Sequence, residues 1–565
     1  MPLTRLIDMP KRYDNRSTYK EYNRAKTPTK VLAISEMESL STYHPSVIND
    51  RHFANTQNMI RRRDGLFENR KGYKQFGEAV GSDLGVHSLR FWRTATGDRY
   101  LTIGTGSKLY SYAEGAEYNN GTYTFRGDII DDIANIGING QLVPEEERLA
   151  PREDGRYLFD SGVYSDQLLL VNGHTKTITS ADNINFTYTD DPKNVVSRFI
   201  EIANDIVSYS GIPGDESDLQ LSAGAPEFPD LVDPNSILTL DQNNGQFITG
   251  HRSLGPSIIV YKDQSAYAVA VADLSTQKLD YNGGTLSNRS ILQTELNEVL
   301  AAGRQGIFSI KKTQIGDNRL FGASESQLID DLYKTTIDYS NINAVYDPTT
   351  NLAMWTAKTN AGIKSFVKHM SFDKSWTFFT GINASHWTVY YDQEDQPHLL
   401  FGDASTDRVF EMFKGRSDNG APIDAVLTTK RYDFGQPGIQ KQVQYVDLLG
   451  YMSANAEWTI EMFKDDNETT PFKTVTVTMN GDDDIILNAE LGAAALGEKP
   501  LGGFLGDSDD LEVYPIRKRI VVNESLENMQ IRLTNNQKDV RVVFKSMLAY
   551  FSYGAQDDFP YEDIL

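Results

Sequence analysis

The sequence predicts an all-β protein: a β-propeller of six or seven blades, followed by a β-sandwich or jelly-roll domain and preceded by an extended N-terminal arm. Three observations lead to this fold class. Short apolar runs separated by Gly, Asn and Asp fill residues 81–415 and are typical of β-hairpins. The hairpins recur about every 40–55 residues, which is the length of a propeller blade. Beyond residue 416 the runs alternate apolar and polar residues, as strands with one solvated face do.

Residues 1–80 are predicted to be a basic arm and a lead-in to the propeller. Residues 1–77 carry 15 Lys and Arg against 8 Asp and Glu, although the whole chain of 565 residues has a formal charge of −23. The first thirty residues are poor in aliphatic side chains, so we expect them to have no core of their own and to become ordered against a partner. A disordered tail is the alternative, and the interleaved Tyr and Arg residues also suit single-stranded nucleic acid.

Residues 81–415 contain the hairpins of the predicted propeller. In the first hairpin, residues 100–103 and 108–112 are joined by Gly104-Thr105-Gly106, whose glycines suit a tight turn. Further pairs are 167–171 with 175–178, 257–261 with 265–269, 307–310 with 319–322, 352–357 with 365–370, and 399–401 with 409–413. A small blade cannot bury its apolar faces alone, so the blades are expected to pack around a common axis. A stack of β-sandwiches is the alternative.

Two segments of the propeller region are predicted to depart from this pattern. Residues 290–303 suggest a helix, because Ser290 and Gln293 match a capping box and Gly303 can end the helix. The apolar residues that would share one face of this helix are Leu292, Leu296, Val299 and Leu300. Residues 211–245 are rich in Pro, Gly and Asp and suggest a long loop between blades.

Residues 416–565 are predicted to form the second β domain. Its expected strands are 442–449, 458–463, 473–479, 516–522, 529–533 and 540–550. Acidic clusters lie between some of them, at 465–466, 482–484 and 507 with 509–510. Such carboxylates can bind Ca²⁺, but the clusters lack the alternating spacing of a helix–loop–helix calcium site. Solvated loops are therefore the favoured interpretation.

The sequence contains no recognisable catalytic or cofactor motif. Cysteine is absent, which excludes disulfides, thiolate metal sites and cysteine nucleophiles. The eight histidines are scattered singly, and neither a phosphate-binding glycine loop nor a Gly-x-Ser-x-Gly elbow occurs. We therefore expect no enzyme activity, no cofactor and no metal site. The acidic charge argues against a nucleic-acid coat, and we expect neither a membrane span nor a cleavable secretion signal.

Three short motifs along the chain carry a resemblance to a known protein family. The first is Arg70-Lys71-Gly72-Tyr73, in which Lys71 replaces the usual proline, and the second is Gly106-Ser107-Lys108-Leu109-Tyr110. The third is Lys430-Arg431-Tyr432-Asp433-Phe434-Gly435. In this order they are similar to motifs of the hub, nozzle or stabilisation-type β-propeller proteins of short-tailed phages. The resemblance gives structural roles to Arg70, Gly72, Tyr73, Gly106, Leu109, Tyr110, Lys430, Tyr432, Asp433, Phe434 and Gly435.

The resemblance implies a virion structural protein of the phage tail, assembled in the host cytoplasm. Six copies would form a ring below the portal or adaptor protein, with residues 1–60 lying across a neighbouring copy or the collar. The ring would line or close the channel through which genomic double-stranded DNA leaves, and it would anchor tail fibres or spikes. Six copies would together carry a charge of −138, which repels DNA instead of retaining it. The alternative is a propeller glycan hydrolase, or a glycan-binding or fibre-anchoring module at the host surface.

Overall fold

The computed structural model describes residues 30–82, 84–129, 157–188, 196–222, 232–242, 244–279, 283–295, 298–312, 320–372, 375–478, 511 and 513–553. The chain divides into two compact units. The first unit comprises Met1–Gly72, Lys374–Phe378 and Gly415–Leu565, and the second comprises Tyr73–Asp373 and Phe379–Lys414. In sequence, the second unit is thus inserted within the first, apart from the short segment Lys374–Phe378, which belongs to the first unit. The regular structure of both units is almost entirely β-strand, which confirms the all-β prediction.

The strands of the first unit before the insertion are short. They are β1 (Lys30–Ile34), β2 (Ser39–Leu40), β3 (His52–Gln57), β4 (Met59–Arg61) and β5 (Phe67–Asn69). The insertion then begins with β6 (Tyr73–Gln75).

The second unit consists of antiparallel sheets in which successive strands are neighbours. The first sheet contains β7 (Val86–Arg93), β8 (Arg99–Thr105), β9 (Lys108–Ala113) and β10 (Thr122–Asp128). The second contains β11 (Asp160–Tyr164), β12 (Gln167–Val171), β13 (Ile178–Ser180) and β14 (Thr187–Tyr188). The third contains β15 (Phe199–Ala203), β16 (Ile206–Ile212), β17 (Asp215–Ser222) and β18 (Val232–Thr239).

The later sheets continue the same meander. The fourth contains β19 (Ile248–Leu254), β20 (Ser257–Lys262), β21 (Ala266–Ala270) and β22 (Thr276–Lys278), and the fifth contains β23 (Ile291–Thr294), β24 (Glu298–Gly303), β25 (Gly306–Lys312) and β26 (Leu320–Ser324). The sixth contains β27 (Thr336–Asp347), β28 (Leu352–Thr359) and β29 (Gly362–His369), and β30 (Trp376–Phe379) follows. The seventh contains β31 (Ala384–Tyr391), β32 (Pro397–Asp403) and β33 (Val409–Met412). The helical elements given for the described residues are single turns at Asn288–Ser290, Gln327–Ile329 and Asp330–Tyr333.

The seven sheets surround a common axis. The first strand of each sheet contacts the first strand of the next, in the order β7, β11, β15, β19, β23, β27 and β31, and β31 contacts β7. This closed ring of inner strands is the arrangement of a β-propeller. The propeller prediction is confirmed, and the described residues contain seven blades. The hairpins predicted from the sequence are the neighbouring strands within these blades.

The last blade is completed by a strand from the other end of the propeller sequence. β6 pairs antiparallel with β33, so that Tyr73 lies opposite Met412 and Gln75 lies opposite Phe410. The backbone of Phe76 then donates a hydrogen bond to the carbonyl of Val409. The first and last segments of the propeller are therefore held together by main-chain hydrogen bonds.

Adjacent blades bury their faces against each other. Trp92 and Leu109 of the first blade share a hydrophobic cluster with Leu168 and Ile178 of the second. On the opposite side, Leu89 and Ile103 of the first blade share a cluster with Tyr390 and Leu400 of the seventh. The first four blades each contribute to two such clusters, so that both faces of these blades bury apolar surface.

The helix predicted at residues 290–303 is wrong. β23 and β24 occupy this segment and pair antiparallel, with Leu292 opposite Leu300 and Gln293 opposite Val299. Every residue of β24 is buried. A strand that is buried on both faces is apolar at successive positions, and periodicity cannot distinguish such a short run from a buried helix.

The long loop predicted at residues 211–245 is also wrong where the structure describes it. β17 and β18 lie in this segment, and β17 pairs with β16 on one side and with β18 on the other. Gly214 has a φ of 92° and lies in the tight turn between β16 and β17. The glycine and aspartate residues thus mark a hairpin turn.

The first unit is completed by strands that follow the propeller. They are β34 (Ala425–Thr429), β35 (Lys441–Ser453), β36 (Glu457–Lys464), β37 (Lys473–Thr478), β38 (Val513–Leu526), β39 (Met529–Asn535) and β40 (Val542–Tyr553). One sheet has the order β38-β35-β40-β5-β4, with β1 also paired to β40, and β3, β34, β39, β36 and β37 are neighbours in another. Residues from both sheets form one hydrophobic cluster, which includes Phe53, Leu448, Trp458 and Phe544. Each of the six segments predicted as strands beyond residue 416 contains a strand, although residues 540–541 precede β40 and residue 479 lies outside the described residues.

Residues 30–61, which we expected to belong to the arm, instead form strands within this unit. β1 pairs with β40 along its whole length, and β3 pairs with β34. Leu32 and Ile34 are buried in the hydrophobic cluster of the unit. Their alternating apolar side chains explain why this segment packs against the chain itself. The first 29 residues, and the acidic clusters at 482–484 and 507–510, lie outside the described residues.

Candidate functional site

The first motif of the tail-protein resemblance lies where the chain passes into the propeller. Arg70 is buried, and its two terminal nitrogens donate to the carboxylate of Asp418 at 2.7 and 2.6 Å. Its Nε donates to Asn58 Oδ1 at 2.9 Å. Gly72 lies so close to the returning chain that a Cβ there would be 1.9 Å from the carbonyl oxygen of Ser417. We call residues 68–72 together with 415–418 the stem, because these segments join the first unit to the inserted propeller sequence.

Tyr73, at the start of β6, belongs to the last blade. Its ring makes edge-to-face contacts with Phe401 and Phe410, with centroids 5.2 and 5.0 Å apart. Its hydroxyl donates to the carbonyl of Gly381 at 3.1 Å. Tyr73 therefore fixes the strand that closes the propeller.

The second motif lies in the first blade. Gly106 has a φ of 58°, in the turn between β8 and β9, and its amide donates to His87 Nδ1 at 3.3 Å. Leu109 and Tyr110 follow on β9 and are both buried. Since successive strand residues point to opposite faces, Leu109 packs towards the second blade and Tyr110 towards the seventh.

The third motif forms a turn in the first unit. Lys430 Nζ donates to the carbonyl of Ile48 at 3.1 Å and lies 5.4 Å from the ring centre of Tyr432. Tyr432 is buried, and its backbone exchanges hydrogen bonds with Met529.

The remaining residues of the third motif shape the turn itself. Asp433 accepts a hydrogen bond from the amide of Gly435 at 2.9 Å. Phe434 and Gly435 have φ values of 57° and 77°, and the Phe434 ring packs against Phe551 with centroids 4.6 Å apart. The motif residues of the resemblance therefore fix turns, a strand closure and the stem, each at its own place in the fold.

The centre of the propeller contains a cluster of charged side chains that the sequence did not predict. Arg90, Asp160, Glu201 and Arg252 lie on the first strands of the first four blades, and Arg289 precedes the first strand of the fifth. Arg252 donates to Glu201 at 2.8 Å. These inner strands line a cavity of about 420 Å³.

Other members of this cluster form hydrogen bonds to residues of neighbouring blades. Asp160 accepts a hydrogen bond from Asn288 Nδ2 at 2.8 Å, and Arg289 donates to the carbonyl of His87 at 2.9 Å. Burial raises the pKa of Asp160, although Arg252 opposes the rise. Burial also lowers the pKa of Arg289 to about 10. The centre of the propeller is thus a poorly solvated environment in which charge is costly.

Three of the singly placed histidines link adjacent blades. His87 Nε2 bonds to the carbonyl of Tyr157 at 2.8 Å, and His386 Nδ1 accepts from the amide of Leu89 at 3.0 Å. His251 Nδ1 lies 2.8 Å from the hydroxyl of Ser210, and burial lowers the pKa of His251 to about 4. Histidines hydrogen-bonded between blades in this way have structural roles. Within the described ranges, no group of three or more His, Asp or Glu side chains could hold a metal ion.

A fourth histidine lies between two carboxylates. His398 Nδ1 is 2.7 Å from Glu411 Oε1, and its Nε2 is 3.0 Å from Asp392 Oδ2. The ring of Tyr118 stacks on His398 with centroids 4.1 Å apart, and its hydroxyl donates to Glu411. Burial lowers the pKa of His398, but the two carboxylates outweigh it, so the net shift is upward. The cluster is covered and internally paired, which favours a structural ion network.

A second cavity of about 420 Å³ lies on the propeller, lined among others by Glu114, Asp182 and Tyr390. Glu114 accepts hydrogen bonds from the Tyr390 hydroxyl and from Gln393. Although burial opposes it, hydrogen bonds from the amides of Asn185 and Ile184 lower the pKa of Asp182. The acid of a glycosidase needs a raised pKa, so Asp182 is poorly suited to that role.

The central cluster did leave a signal in the sequence. Glu201 lies in Phe-Ile-Glu-Ile-Ala and Arg90 in Ser-Leu-Arg-Phe-Trp, so each is a charged residue in the middle of an otherwise apolar strand. A charge at such a position is unusual unless the side chain enters a polar cavity. Recognising this pattern requires knowing which strand of each blade is innermost.

Comparisons with known proteins give distant similarities only. No family model matches the sequence, and no curated protein matches it. Among solved structures, the extracellular domain of a one-component system from B. thetaiotaomicron is 9% identical with a TM-score of 0.38, and the alignment covers 78% of this chain and 60% of that one. The Neurospora crassa Pan2 WD40 domain is 9% identical with a TM-score of 0.34, covering 61% of this chain and 96% of that one. The N-terminal domain of Nup159 is 12% identical with a TM-score of 0.33, covering 64% and 99%. Likenesses this weak carry no argument about function, and the propeller assignment here follows from the sheet topology of the chain.

Proposed function

We propose that this chain is a structural protein of a bacteriophage virion, located in the hub or nozzle ring of a short tail. One observation carries the proposal: the three family-like motifs occur in the family's order and coincide with the beginning, the first blade and the end of the propeller. Arg70, Gly72 and Tyr73 lie at the beginning, Gly106, Leu109 and Tyr110 in the first blade, and Lys430 to Gly435 after the last blade. Their contacts are those of a scaffold, as expected for a protein that acts through its interfaces.

The propeller centre bears on how such a protein would conduct DNA. The inner strands surround a cavity of only about 420 Å³, which charged side chains line. A duplex cannot pass through the middle of one propeller, so the channel would have to form between copies. A closed ring of six copies provides such a channel, because heterologous interfaces that close by rotation leave an axial opening. The net charge of −23 per copy suits a wall that does not retain DNA.

We further propose that the first unit is a two-sheet β-sandwich that binds other tail components. The shared hydrophobic cluster of its two sheets supports this arrangement. Portal or adaptor protein on one side, and fibres or spikes on the other, are the proposed partners. No helix among the described residues has the length and apolar character needed to cross a membrane.

Quantitative peptide mass spectrometry of purified phage particles tests the proposal. Peptides of this chain, normalised to those of the portal protein, should give about six copies per particle. Absence of the chain from particles would overturn the virion assignment. Glycan hydrolysis or sugar binding by the purified chain would then favour the host-surface alternative.

A further inference from the structure

The central cavity of the propeller has the features of a ligand site. Its polar lining comes from the first strands of five blades, and its volume of about 420 Å³ is in the range of small-molecule sites. The lining residues used below are Arg90, Ser161, Gly162, Glu201, Arg252 and Gln293. Gly162 contributes no side chain, and a Cβ there would lie 2.7 Å from Cδ1 of Ile202. Glycine at this position therefore allows the close packing of Ile202 beside the cavity.

Both carboxylates near the cavity already have donors. Glu201 Oε2 accepts from Arg252 at 2.8 Å, and its Oε1 accepts from the hydroxyl of Ser253 at 2.8 Å. Asp160 Oδ2 accepts from the amide of Ile200 at 3.0 Å and from a second donor, Asn288. Neither carboxylate therefore needs a further cation.

Arg90 differs from these groups. Its Nε is buried and has no hydrogen-bond partner in the described part of the chain, and the same holds for Nε of Arg252. Burial and the charge of Arg252 lower the pKa of Arg90, although the charges of Asp160 and Glu201 oppose this shift. Buried donors without acceptors are rare in proteins because each one loses its hydration without compensation. Arg90 also lines the cavity, so an acceptor bound there can reach its guanidinium.

We propose that the propeller cavity binds a small monocarboxylate, with Arg90 as its principal binding residue. The planar guanidinium can pair with both oxygens of a carboxylate. Together, Arg90, Arg252 and Arg289 exceed Glu201 and Asp160 by one positive charge, so a single negative charge neutralises the cluster. A phosphate dianion carries one negative charge more than the cluster can neutralise, and it would lie beside the carboxylates of Glu201 and Asp160. Ser161 and Gln293 supply polar groups for a hydroxyl on the ligand.

The site does not depend on the proposed tail role, since it is built entirely by the inner strands of the propeller. Saturation-transfer NMR with the full chain tests it, using lactate and acetate as ligands and inorganic phosphate as a competitor. We expect signals from lactate and acetate that weaken at least about tenfold in Arg90→Gln, because a charged hydrogen-bonding pair is lost. The matched control is Arg93→Gln, on the same strand but exposed and paired with Asp395. It should bind as the wild type does.

Three results would overturn the proposal: no carboxylate signal with the wild type, equal signals with Arg90→Gln, or displacement of lactate by an equal concentration of phosphate. If Arg90→Gln does not fold, Arg90→Lys keeps the charge but lacks the planar pair of donors, and it should also bind more weakly. Unchanged binding by a folded Arg90→Lys would refute the assignment of Arg90. Thermal unfolding without ligand gives a second readout. Because burial and Arg252 together outweigh the attraction of Arg90 to Asp160 and Glu201, Arg90→Gln should melt no lower than the wild type, whereas a marked loss of stability would identify Arg90 as a structural residue.

Discussion

Replacing Glu68 by Gln should destabilise the first unit strongly. Glu68 on β5 is surrounded by three arginines: Arg416 at 2.8 Å, Arg541 at 2.8 and 3.1 Å, and Arg62 at 3.4 Å. The side chain of Glu68 is 13% exposed and that of Arg416 only 3%. Removing one partner of a buried ion network costs about 3–5 kcal/mol, because the remaining charge stays desolvated. Arg541 and Arg62 can regain water, so we expect the lower end, about 3 kcal/mol.

Differential scanning calorimetry of the full chain measures this effect. For a unit of this size, each kcal/mol lowers Tm by about 2–4 °C, so Glu68→Gln should melt about 6–12 °C lower than the wild type at pH 7. The matched control is Glu36→Gln, since Glu36 is 78% exposed and lies 3.5 Å from Arg51. An exposed pair contributes little, so the control should melt within about 1 °C of the wild type. If Glu68→Gln and Glu36→Gln melt together, the network is not stabilising and the reasoning is refuted.

The wild type and Glu68→Gln should respond differently to acid. Burial raises the pKa of Glu68, but Arg416 and Arg541 outweigh it, so its native pKa lies below the ordinary 4.5. Stability from a lowered carboxyl pKa is fully present above the unfolded value and is lost as the pH falls through the native value. The difference in Tm between the wild type and Glu68→Gln should therefore shrink as the pH falls from about 6 to 3. A difference that stays constant would show that Glu68 acts by packing and not by charge.

Three further substitutions test the propeller and the stem. Tyr73→Ala should cost about 2 kcal/mol of stability, because two aromatic contacts are lost, and it should speed amide hydrogen exchange in β33. Tyr73→Phe keeps the ring and should retain most of the protection of these amides from exchange. Equal protection of β33 in both variants would contradict the role of Tyr73 in closing the propeller. Gly72→Ala should reduce the yield of folded protein, because the new Cβ would overlap the Ser417 carbonyl. The control is Gly65→Ala, whose Cβ would meet no atom within 4 Å and which therefore tests backbone strain alone. Equal yields of the two variants would refute the predicted clash. The Tm of the wild type should fall relative to that of His398→Gln as the pH rises from about 6 to 8. The pKa of His398 is raised in the folded protein, so its charged form stabilises the fold at low pH and this contribution is lost as the pH rises through that pKa. A difference in Tm that does not depend on pH would exclude the ion network.

Much of the fold could be predicted from local sequence, but its strand partners could not. Hairpins such as β8 with β9 have strand formers on both sides of a glycine turn, so their pairing is encoded within about 15 residues. The pairing of β6 with β33 joins residues more than 300 positions apart, and nothing in either short strand specifies the other. β24 was mistaken for a helix because burial on both faces removes the alternation that marks a strand. The central cluster was missed for a related reason, since Arg90 and Glu201 converge only when the ring closes.

The stem shows how motif residues with a purely structural role can still limit which side chains fit at their positions. Because the propeller sequence is inserted between β5 and β34, the two segments at its ends, which form the stem, must remain adjacent in the first unit whatever the inserted sequence does. Arg70 reaches across to Asp418, and Glu68 reaches across to Arg416, so two ion pairs hold the outgoing and returning chain side by side. Closing the ends of a long insertion costs conformational entropy, and β6 reduces that cost because its pairing with β33 brings the ends of the propeller sequence together. The resulting geometry leaves room at residue 72 for a glycine only, which ties the Arg70-Lys71-Gly72-Tyr73 motif to the architecture of an inserted propeller.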